Sequence, residues 1–282
     1  MTLHPPADAQ IAGDVRRALS EDLGAGDVTA ALLPDSADVA YLLCKEDGVL
    51  AGAAWFDAAH RALDPQVRID WRAADGQRIR AGSVLATLSG RSRALVSAER
   101  TSLNFLQTLS GTATITARYV EAVSGTGARI LDTRKTLPGL RVAQKYAVTC
   151  GGGYNHRMGL YDAVMLKENH VRAAGSITAA IHSARAMHGT LLLIVEVESL
   201  DQLQETLAVG CDRILIDDFD PATRREAVRI AAGRIPLEVS GGVDLAGVRA
   251  IAEDGVDCIS IGGLTKHVHA IDLSLKLGPA PN

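Results

Sequence analysis

The spacing of apolar residues changes near residue 90, and this change separates two kinds of predicted architecture. Before it, short apolar runs predict strands at 37–46, 48–51 and 67–73, followed by two short strands across an Ala–Gly turn within 75–90. Apolar stripes of helical period predict helices at about 8–21 and 53–63. The first ninety residues therefore predict a small α+β layer.

A long helical pattern follows at 97–123, with Ser97 as a predicted N-cap and a predicted break at Ser110 and Gly111. Arg100 falls in the first turn of this pattern, where the helix dipole favours anions over cations. Two interpretations are open: a solvated surface arginine, or a helix start that binds a carboxylate or phosphate together with Arg100.

From residue 129 onward, strand patterns alternate with helix patterns. Strands are predicted at 129–132, 163–167, 191–197, 213–217, 236–240 and 258–262. Helices are predicted at about 140–149, 176–187, 200–209, 222–232 and 245–253. This repeat indicates an α/β fold with a parallel sheet, and six strands rather than eight favour an incomplete or irregular barrel.

Composition narrows the class of protein. The chain has 282 residues and a formal net charge of -4, whereas nucleic-acid binding usually requires a basic face. No apolar run approaches the roughly 20 residues of a membrane span, and the N-terminus lacks a signal-peptide pattern. The four scattered cysteines predict free thiols in a reducing compartment. We therefore expect a cytoplasmic enzyme that binds neither membrane nor nucleic acid.

Positive charge is concentrated in the stretch 132–170. The cations follow predicted strands or a run of three glycines, and they are Arg134, Lys135, His156, Arg157 and Lys167. Ligands of α/β sheets and barrels bind beyond the carboxyl ends of the strands, so these side chains are expected to converge at one mouth. A local cation cluster in an acidic chain predicts a small ligand with several negative charges.

Two glycine-rich loops, at 238–248 and 259–268, follow the last two predicted strands. Such loops expose backbone N–H groups to phosphate oxygens, and many barrels bind phosphate at this place. The alternative is a pair of tight left-handed turns.

Glu196 and Asp217 end neighbouring strands and predict ligands for Mg²⁺ or ribose hydroxyls, or else an acid/base pair. The phosphate loops favour the first of these two interpretations.

Several motifs resemble the quinolinate phosphoribosyltransferase family. They are ERTSLNFLQTLSGTAT, the block from Asp132 to His170, VEVESLDQL, IDDF, EVSGGV and ISIGGLTK, and the resemblance runs from about Glu21 to Leu277. It implies an N-terminal open sandwich over 1–112 and an irregular seven-stranded α/β barrel over 113–282, with the last residues returning to the first domain. It also implies conversion of quinolinate and phosphoribosyl diphosphate to nicotinate mononucleotide, diphosphate and CO₂, with Mg²⁺, in de novo NAD biosynthesis.

The resemblance also implies a role for individual residues. The expected ligands of quinolinate and diphosphate are Thr133, Arg134, Lys135, His156, Arg157 and Lys167, with Arg100 reaching the site from the partner subunit of a homodimer, or of a hexamer in some members. Glu196 and Asp217 are expected to hold ribose hydroxyls and Mg²⁺, and with Lys135 they form the expected catalytic set. The expected phosphate cradle is Ser240, Gly241, Gly242, Gly262 and Gly263.

Two positions depart from the family pattern: Ile194 stands where an acid is frequent, and Asp218 stands where Asn is usual. Two rival functions are also considered. A related enzyme that uses a monocarboxylate such as nicotinate needs fewer cations than the six counted above. A non-catalytic nucleotide sensor is expected to have lost site residues, and this chain retains the expected set.

Overall fold

The computed structural model describes residues 3–281, and these separate into two compact units. The first unit consists of the described residues within Met1–Ala117, Thr136–Gly152 and Leu264–Asn282. The second consists of Arg118–Lys135 and Gly153–Gly263. The first unit is therefore built from three separate segments of chain.

The first unit contains an antiparallel sheet and several helices. Its strands are β1 (Ala37–Cys44), β2 (Gly48–Val49), β3 (Arg68–Trp71), β4 (Arg78–Ile79), β5 (Val84–Arg91) and, numbered last along the chain, β12 (Leu273–Leu277). Its helices are α1 (Asp8–Leu23), α2 (Ala53–Leu63), α4 (Arg141–Cys150) and most of α3 (Ser92–Ala122), with a 3₁₀ turn at Ala30–Leu32. The short helix α10 (Gly263–Lys266) begins at the last residue of the second unit.

Pairing in this sheet differs from the expected local hairpin. The strand order is β12-β1-β5-β3, while β2 pairs with β4 in a separate two-stranded ladder. The two strands predicted within 75–90 therefore exist, but they pair with other strands and not with each other. The strand β12, which strand patterns had not marked, pairs with β1 through contacts such as Leu42 opposite Leu275.

The long helix α3 begins five residues before the predicted N-cap Ser97 and continues through Gly111. The prediction that Arg100 lies at a helix start is therefore wrong, because Arg100 is the ninth residue of α3 and is exposed. The predicted break is also wrong. A Cβ atom on Gly111 would lie 2.1 Å from the carbonyl oxygen of His269, so this glycine allows close backbone approach within a helix that continues through it.

The second unit is an α/β sheet of parallel strands. Its strands are β6 (Arg129–Leu131), β7 (Ala163–Leu166), β8 (Leu192–Val197), β9 (Arg213–Asp217), β10 (Leu237–Ser240) and β11 (Cys258–Ser260). Its helices are α5 (Glu168–Ala174), α6 (Ile177–His188), α7 (Leu200–Val209), α8 (Pro221–Ala231) and α9 (Val248–Glu253). The short helix α5 had no counterpart among the predicted helices.

The strand order β6-β11-β10-β9-β8-β7 is that of a barrel opened between β6 and β7. Tyr154 lies in the chain between these two strands and forms a parallel bridge with Leu131, supported by backbone bonds from Tyr154 N to Ile130 O at 2.8 Å and from Asp132 N to Tyr154 O at 3.1 Å. Within the described residues the sheet thus has six strands, and the implied seventh is reduced to this bridge.

The helix α4 was expected to cover the parallel sheet, but it packs in the first unit. Its buried residues Ala143, Tyr146, Ala147 and Cys150 share an apolar cluster with residues of α1 and α2, including Trp55. The Tyr146 hydroxyl also donates to Asp75 at 2.8 Å. Among residues 3–281, no helix is both long and apolar enough to cross a membrane.

Candidate active site

Polar side chains meet at the edge of the second unit where its parallel strands end. The hydrogen-bonded register aligns Leu131, Ser260, Ser240 and Asp217 in one row, with Glu196 level with Leu215 on the next strand. Lys167 directly follows β7. Because side chains alternate along a strand, Arg213, Leu215 and Asp217 share one face, and so do Glu238 and Ser240. The predicted site residues that follow these strands therefore share one edge of the sheet.

Lys167 and Glu196, at the ends of neighbouring strands, form a short ion pair between Nζ and Oε2. The Lys167 side chain is 48% exposed and the Glu196 side chain is 10% exposed. The backbone of Lys167 is held as well, because its N–H donates to His170 Nδ1 at 3.1 Å. A predicted anion ligand and a predicted metal or ribose ligand are thus paired with each other at this edge.

Lys135 lies against the glycine loop that follows β11. A Cβ atom on Gly262 would lie 2.8 Å from Lys135 Cδ and 3.5 Å from Thr133 Oγ1. Thr133 also turns the backbone, because its hydroxyl accepts from Lys135 N at 3.0 Å. Because Gly262 has no side chain, the Lys135 side chain can occupy this space.

Arg134 and Arg157 are close enough to influence one another. Burial lowers the pKa of Arg157, the positive charge of Arg134 lowers it further, and Asp162 opposes this effect. The Arg157 guanidinium donates to the carbonyl of Ala163 at 3.2 Å, on the open edge of β7. Two like charges held together in this way create a place where an anion is stabilised by both.

His156 is buried and has contacts on three sides. Its backbone N–H donates to Asp132 Oδ1 at 2.8 Å, and its Nδ1 accepts from the backbone N–H of Arg157 at 2.7 Å. Its Nε2 lies 3.3 Å from Oε1 of Glu238, a residue of β10 that is fully buried. His156 thus lies beneath the surface of the site, while Arg134, Lys135 and Lys167 are exposed.

The two glycine loops differ from each other in conformation. Gly241 and Gly242 both have positive φ, 95° and 58°, and the helix α9 begins only at Val248. The next helix therefore does not begin directly after this loop. In the second loop, Gly262 precedes the four-residue helix α10, which begins at Gly263. Left-handed backbone is thus present in the first loop at Gly241 and Gly242 and leaves its assignment as a phosphate cradle a prediction.

The carboxylates at this edge fit a divalent metal only in part. Asp217 Oδ1 lies 3.5 Å from the position of a Cβ on Gly241, and Glu196 is paired with Lys167. Residues 3–281 contain no group of three or more His, Cys, Asp or Glu side chains that is arranged to hold a metal ion. Glu196 and Asp217 fit an ion that takes most of its oxygen ligands from a substrate and from water.

Comparison with known proteins decides the family. The profile described as quinolinate phosphoribosyl transferase, C-terminal domain, matches residues 112–276, and the N-terminal domain profile matches residues 27–110. The probable nicotinate-nucleotide pyrophosphorylase (carboxylating) of Bacillus subtilis (strain 168) is 42% identical over 259 residues, which cover 91% of this chain and 90% of the relative. The chain belongs to the quinolinate phosphoribosyltransferase family.

Two further comparisons agree with this membership. The nicotinate-nucleotide pyrophosphorylase (carboxylating) of Mycobacterium leprae (strain TN) is 43% identical over 274 residues, covering 93% of this chain and 95% of the relative. The structure of the nicotinate-nucleotide pyrophosphorylase from Francisella tularensis has a TM-score of 0.94 at 41% identity, with 99% of each chain covered. The predicted family, fold class and enzyme class are confirmed.

The two departures from the quinolinate phosphoribosyltransferase pattern have different surroundings. Ile194 is fully buried in β8 and pairs in register with Arg213, so it adds no acid to the edge of the sheet. Asp218 is exposed and has a φ of 57°, in the left-handed region where Asn and Asp are the most frequent residues after glycine. The replacement of Asn by Asp therefore keeps the backbone conformation of this position.

Sequence patterns assigned no role to three residues that support the site: His170 beside Lys167, and the pair of Arg213 and Glu238. A signal was present for Glu238. A charged residue between the apolar residues of a strand, as in LEVS, indicates a buried charge that needs a partner. The sequence does not reveal which partner that is.

Proposed function

We propose that this chain transfers the phosphoribosyl group of phosphoribosyl diphosphate to the ring nitrogen of quinolinate, with loss of CO₂. The products are nicotinate mononucleotide, diphosphate and CO₂, a step of de novo NAD biosynthesis. One observation carries the proposal. Cations and carboxylates occupy a single edge of the parallel sheet, including the pair of Lys167 and Glu196 and the Asp217–Ser240 row.

The dicarboxylate is assigned to the cations on one side of this edge. Arg134 and Arg157 are near enough for mutual repulsion, which a bound dianion relieves. The planar guanidinium groups match carboxylates bidentately and stay protonated, so they suit a ligand with two neighbouring carboxylates. Lys167 and the buried His156 complete this side of the proposed quinolinate site.

The phosphoribosyl diphosphate is assigned to the loops and acids on the other side. Gly241 and Gly242 both have positive φ, and a glycine-rich turn without side chains lets backbone N–H groups approach phosphate oxygens closely. Ser240 precedes this turn, and Gly262 and Gly263 follow the neighbouring strand. Glu196 and Asp217 accept hydrogen bonds from ribose hydroxyls in this assignment. Lys135, held along Gly262 near Thr133, faces the diphosphate that leaves.

The chemistry requires no covalent bond to the protein. The lone pair of the pyridine nitrogen forms a bond to the anomeric carbon while the bond from that carbon to the diphosphate oxygen breaks. Lys135 and its neighbouring cations stabilise the negative charge that develops on the diphosphate. Holding both substrates at one edge removes much of the entropic barrier to this displacement.

Decarboxylation follows from the product of that step. The alkylated ring nitrogen is positively charged, so it stabilises the electron pair that remains on the adjacent ring carbon when the neighbouring carboxylate leaves as CO₂. That carbon then takes up a proton to give nicotinate mononucleotide. Arg134 and Arg157 retain the second carboxylate, which the product still carries.

Mg²⁺ is part of the proposal. Glu196 and Asp217 would hold the ion together with substrate oxygens and water, and the ion would neutralise charge on the diphosphate. Since the described carboxylates do not form a site for a metal alone, we expect binding of Mg²⁺ to depend on phosphoribosyl diphosphate.

The proposal includes a homodimer in which Arg100 from a second copy contributes to the dianion site. Arg100 is exposed on α3 of the first unit, where it is accessible to another chain. The four cysteines are within the described residues and form no disulfide, which is consistent with the reducing cytoplasm that we propose for this enzyme.

The experiment that tests the function is an incubation with quinolinate, phosphoribosyl diphosphate and Mg²⁺, followed for nicotinate mononucleotide and CO₂ together. Nicotinate serves as the parallel acceptor. We expect both products from quinolinate and none from nicotinate. Product from nicotinate alone would mean that the cation cluster is misassigned, and no turnover of either acceptor would favour the nucleotide sensor.

Replacement of the two arginines tests the assignment of the dicarboxylate. We expect Arg134→Ala and Arg157→Ala each to lower turnover by about a thousandfold, because each removes a bidentate partner of the substrate. The matched control is Arg229→Ala, since Arg229 is an exposed arginine that pairs only locally with Glu226. Wild-type rates in either site variant would reject the assignment.

A further inference from the structure

Glu238 is a buried carboxylate to which the proposed reaction gives no role. It lies on β10, is fully buried, and accepts from Arg213 Nη1 through Oε2 at 2.9 Å. Burial alone would raise the pKa of Glu238, but His156, Ser260 and Arg213 together hold it below its ordinary value. A charge is therefore kept beneath the site, where an apolar side chain could fill the same space at lower cost.

The second oxygen of this carboxylate faces His156. Oε1 of Glu238 lies 3.3 Å from Nε2, while Nδ1 on the other side of the ring accepts from Arg157 N at 2.7 Å. An acceptor nitrogen carries no proton, so this hydrogen bond places the ring proton on Nε2. Glu238 stabilises this tautomer because it places a negative charge beside the Nε2–H group.

The segment that contains His156 and Arg157 has little support from the backbone of the sheet. Tyr154 makes the single bridge that replaces a barrel strand, and the chain then leaves β6. From that point the segment is held by side chains: Asp132 receives the His156 N–H, and Glu238 faces the ring from β10. Each contact fixes the backbone immediately before Arg157.

We infer that Glu238 is a positioning residue that acts through His156 to hold Arg157 in place for the dicarboxylate. The inference rests on the proposed function, because it takes Arg157 as a ligand of quinolinate. His156 then contributes an acceptor for the Arg157 backbone. Arg213 pairs with the other carboxylate oxygen of Glu238, Oε2, at 2.9 Å.

The tautomer is tested first, without any turnover. Long-range ¹H–¹⁵N spectra of the wild-type protein, labelled at histidine and without substrate, are recorded at pH 7. The His156 signals are assigned by their loss in His156→Gln. We expect an unprotonated Nδ1 and a protonated Nε2, and in Glu238→Gln a loss of this single tautomer. An imidazolium, or a proton on Nδ1, in the wild type would overturn the inference.

Kinetics then test whether the effect passes through Arg157. Glu238→Gln is expected to raise the KM for quinolinate about tenfold, which corresponds to about 1.4 kcal/mol, while kcat and the KM for phosphoribosyl diphosphate change less than about threefold. In an Arg157→Lys background the same substitution should add less than about twofold, because the residue that it positions is already changed. Equal effects in both backgrounds would contradict the inference.

One control and one alternative variant separate this result from general damage. Glu205→Gln changes a carboxylate that binds Thr178 outside the barrel interior, and it should leave both KM values unchanged. If Glu238→Gln does not fold, the wild-type spectrum still decides the tautomer. Glu238→Asp then takes the place of Glu238→Gln in the kinetic measurements. If the wild-type protein shows the expected tautomer but does not use quinolinate, the proposed function is rejected. The positioning contact between Glu238 and His156 is still supported in that case.

Discussion

At the scale of single residues, the structure distinguishes positions that need a backbone conformation from positions that need a side chain. Asp218 is a position that needs a particular backbone conformation, since its φ of 57° lies where branched side chains are strained. We expect Asp218→Val to lower the free energy of unfolding by about 1–2 kcal/mol, measured by chemical denaturation. Asp218→Gly should keep or improve stability. Equal losses in both variants would show that the carboxylate, and not the backbone, matters.

Gly262 needs to lack a side chain for a different reason. The space that a side chain would fill is occupied by Lys135. In Gly262→Ala the new methyl group meets Lys135 Cδ at 2.8 Å, so the lysine must move. We expect kcat to fall between about tenfold and a hundredfold, since Lys135 is the residue proposed to act on the leaving diphosphate and small displacements of such a group are costly, while the melting temperature stays unchanged.

The matched control for this variant is Gly13→Ala, since a Cβ at Gly13 in α1 meets only a distant arginine tip. This control should retain full activity and gain stability from improved helix propensity. Full activity in Gly262→Ala would mean that the path of Lys135 is not needed for turnover.

The sequence predicted that the candidate site residues meet at one edge of the sheet, but it did not predict their partners. Lys167 and Glu196 were each predicted as ligands, whereas the structure pairs them with each other. His156 was predicted as one of a group of cations, yet its ring lies between Glu238 and the backbone of Arg157. Partners of this kind come from strands that are distant in sequence, so no local pattern identifies them.

At the scale of elements, the interior of long periodic segments was predicted better than their ends. The helix α3 begins at Ser92 because the chain continues directly from β5, and Ser92 is held there by a bond from its N–H to Ser36 O at 2.9 Å. Ser97 offered a better N-cap by residue type. It donates to Asp27 at 2.8 Å from inside the helix instead.

The close approach at Gly111 has a measurable consequence for α3. A methyl group there would meet the carbonyl oxygen of His269 at 2.1 Å and its carbonyl carbon at 2.9 Å, and backbone atoms cannot rotate away. We expect Gly111→Ala to lower the free energy of unfolding by about 3 kcal/mol, measured by denaturation. An unchanged midpoint would show that the segment after α10 can move away without cost.

His60 of α2 contacts Ser102 of α3, and its protonation makes the stability of the fold depend on pH. Burial lowers the pKa of His60 to about 4, and its ring lies 3.2 Å from the hydroxyl of Ser102. The unfolded chain therefore binds a proton more readily than the folded one between about pH 6.5 and pH 4, so stability falls as the pH falls through this window.

The measurement compares the wild type with His60→Gln at pH 7.5 and pH 5. We expect the wild type to lose about 2 kcal/mol more than the variant over this interval. Although the variant starts from lower stability because the position is fully buried, the comparison depends only on the slope. Parallel slopes would mean that His60 does not titrate in this range.

At the scale of the whole molecule, the sequence predicted an α+β part and a parallel α/β part, and both are present. It did not predict that α4 joins the first unit, because an amphipathic helix between two strands matches a crossover helix by its pattern alone. The strand β12 was missed for a related reason. Its apolar residues alternate over only five positions, and its partner β1 lies more than two hundred residues earlier.

Truncation tests the importance of this last strand. A chain ended at Asp272 lacks Leu273 and Leu275, which are 4% and 8% exposed, and leaves the edge of β1 unpaired. We expect it to lose at least about 4 kcal/mol of stability, from the removal of two buried leucines.

The matched control is a chain ended at Gly278, which keeps the bond from Gly278 N to Val39 O at 2.8 Å. It should melt like the full chain. A truncated chain ended at Asp272 that retained its midpoint would show that β12 only covers a sheet that is already complete.

The three-segment construction of the first unit has a consequence for the order of events during synthesis. A ribosome makes β1 more than two hundred residues before β12, the strand that pairs with its free edge. The sheet cannot be completed until β12 has been synthesised, so the nascent protein carries an open edge while the residues between these two strands are made. This delay makes the protein a natural client for factors that shield unpaired strands on the ribosome.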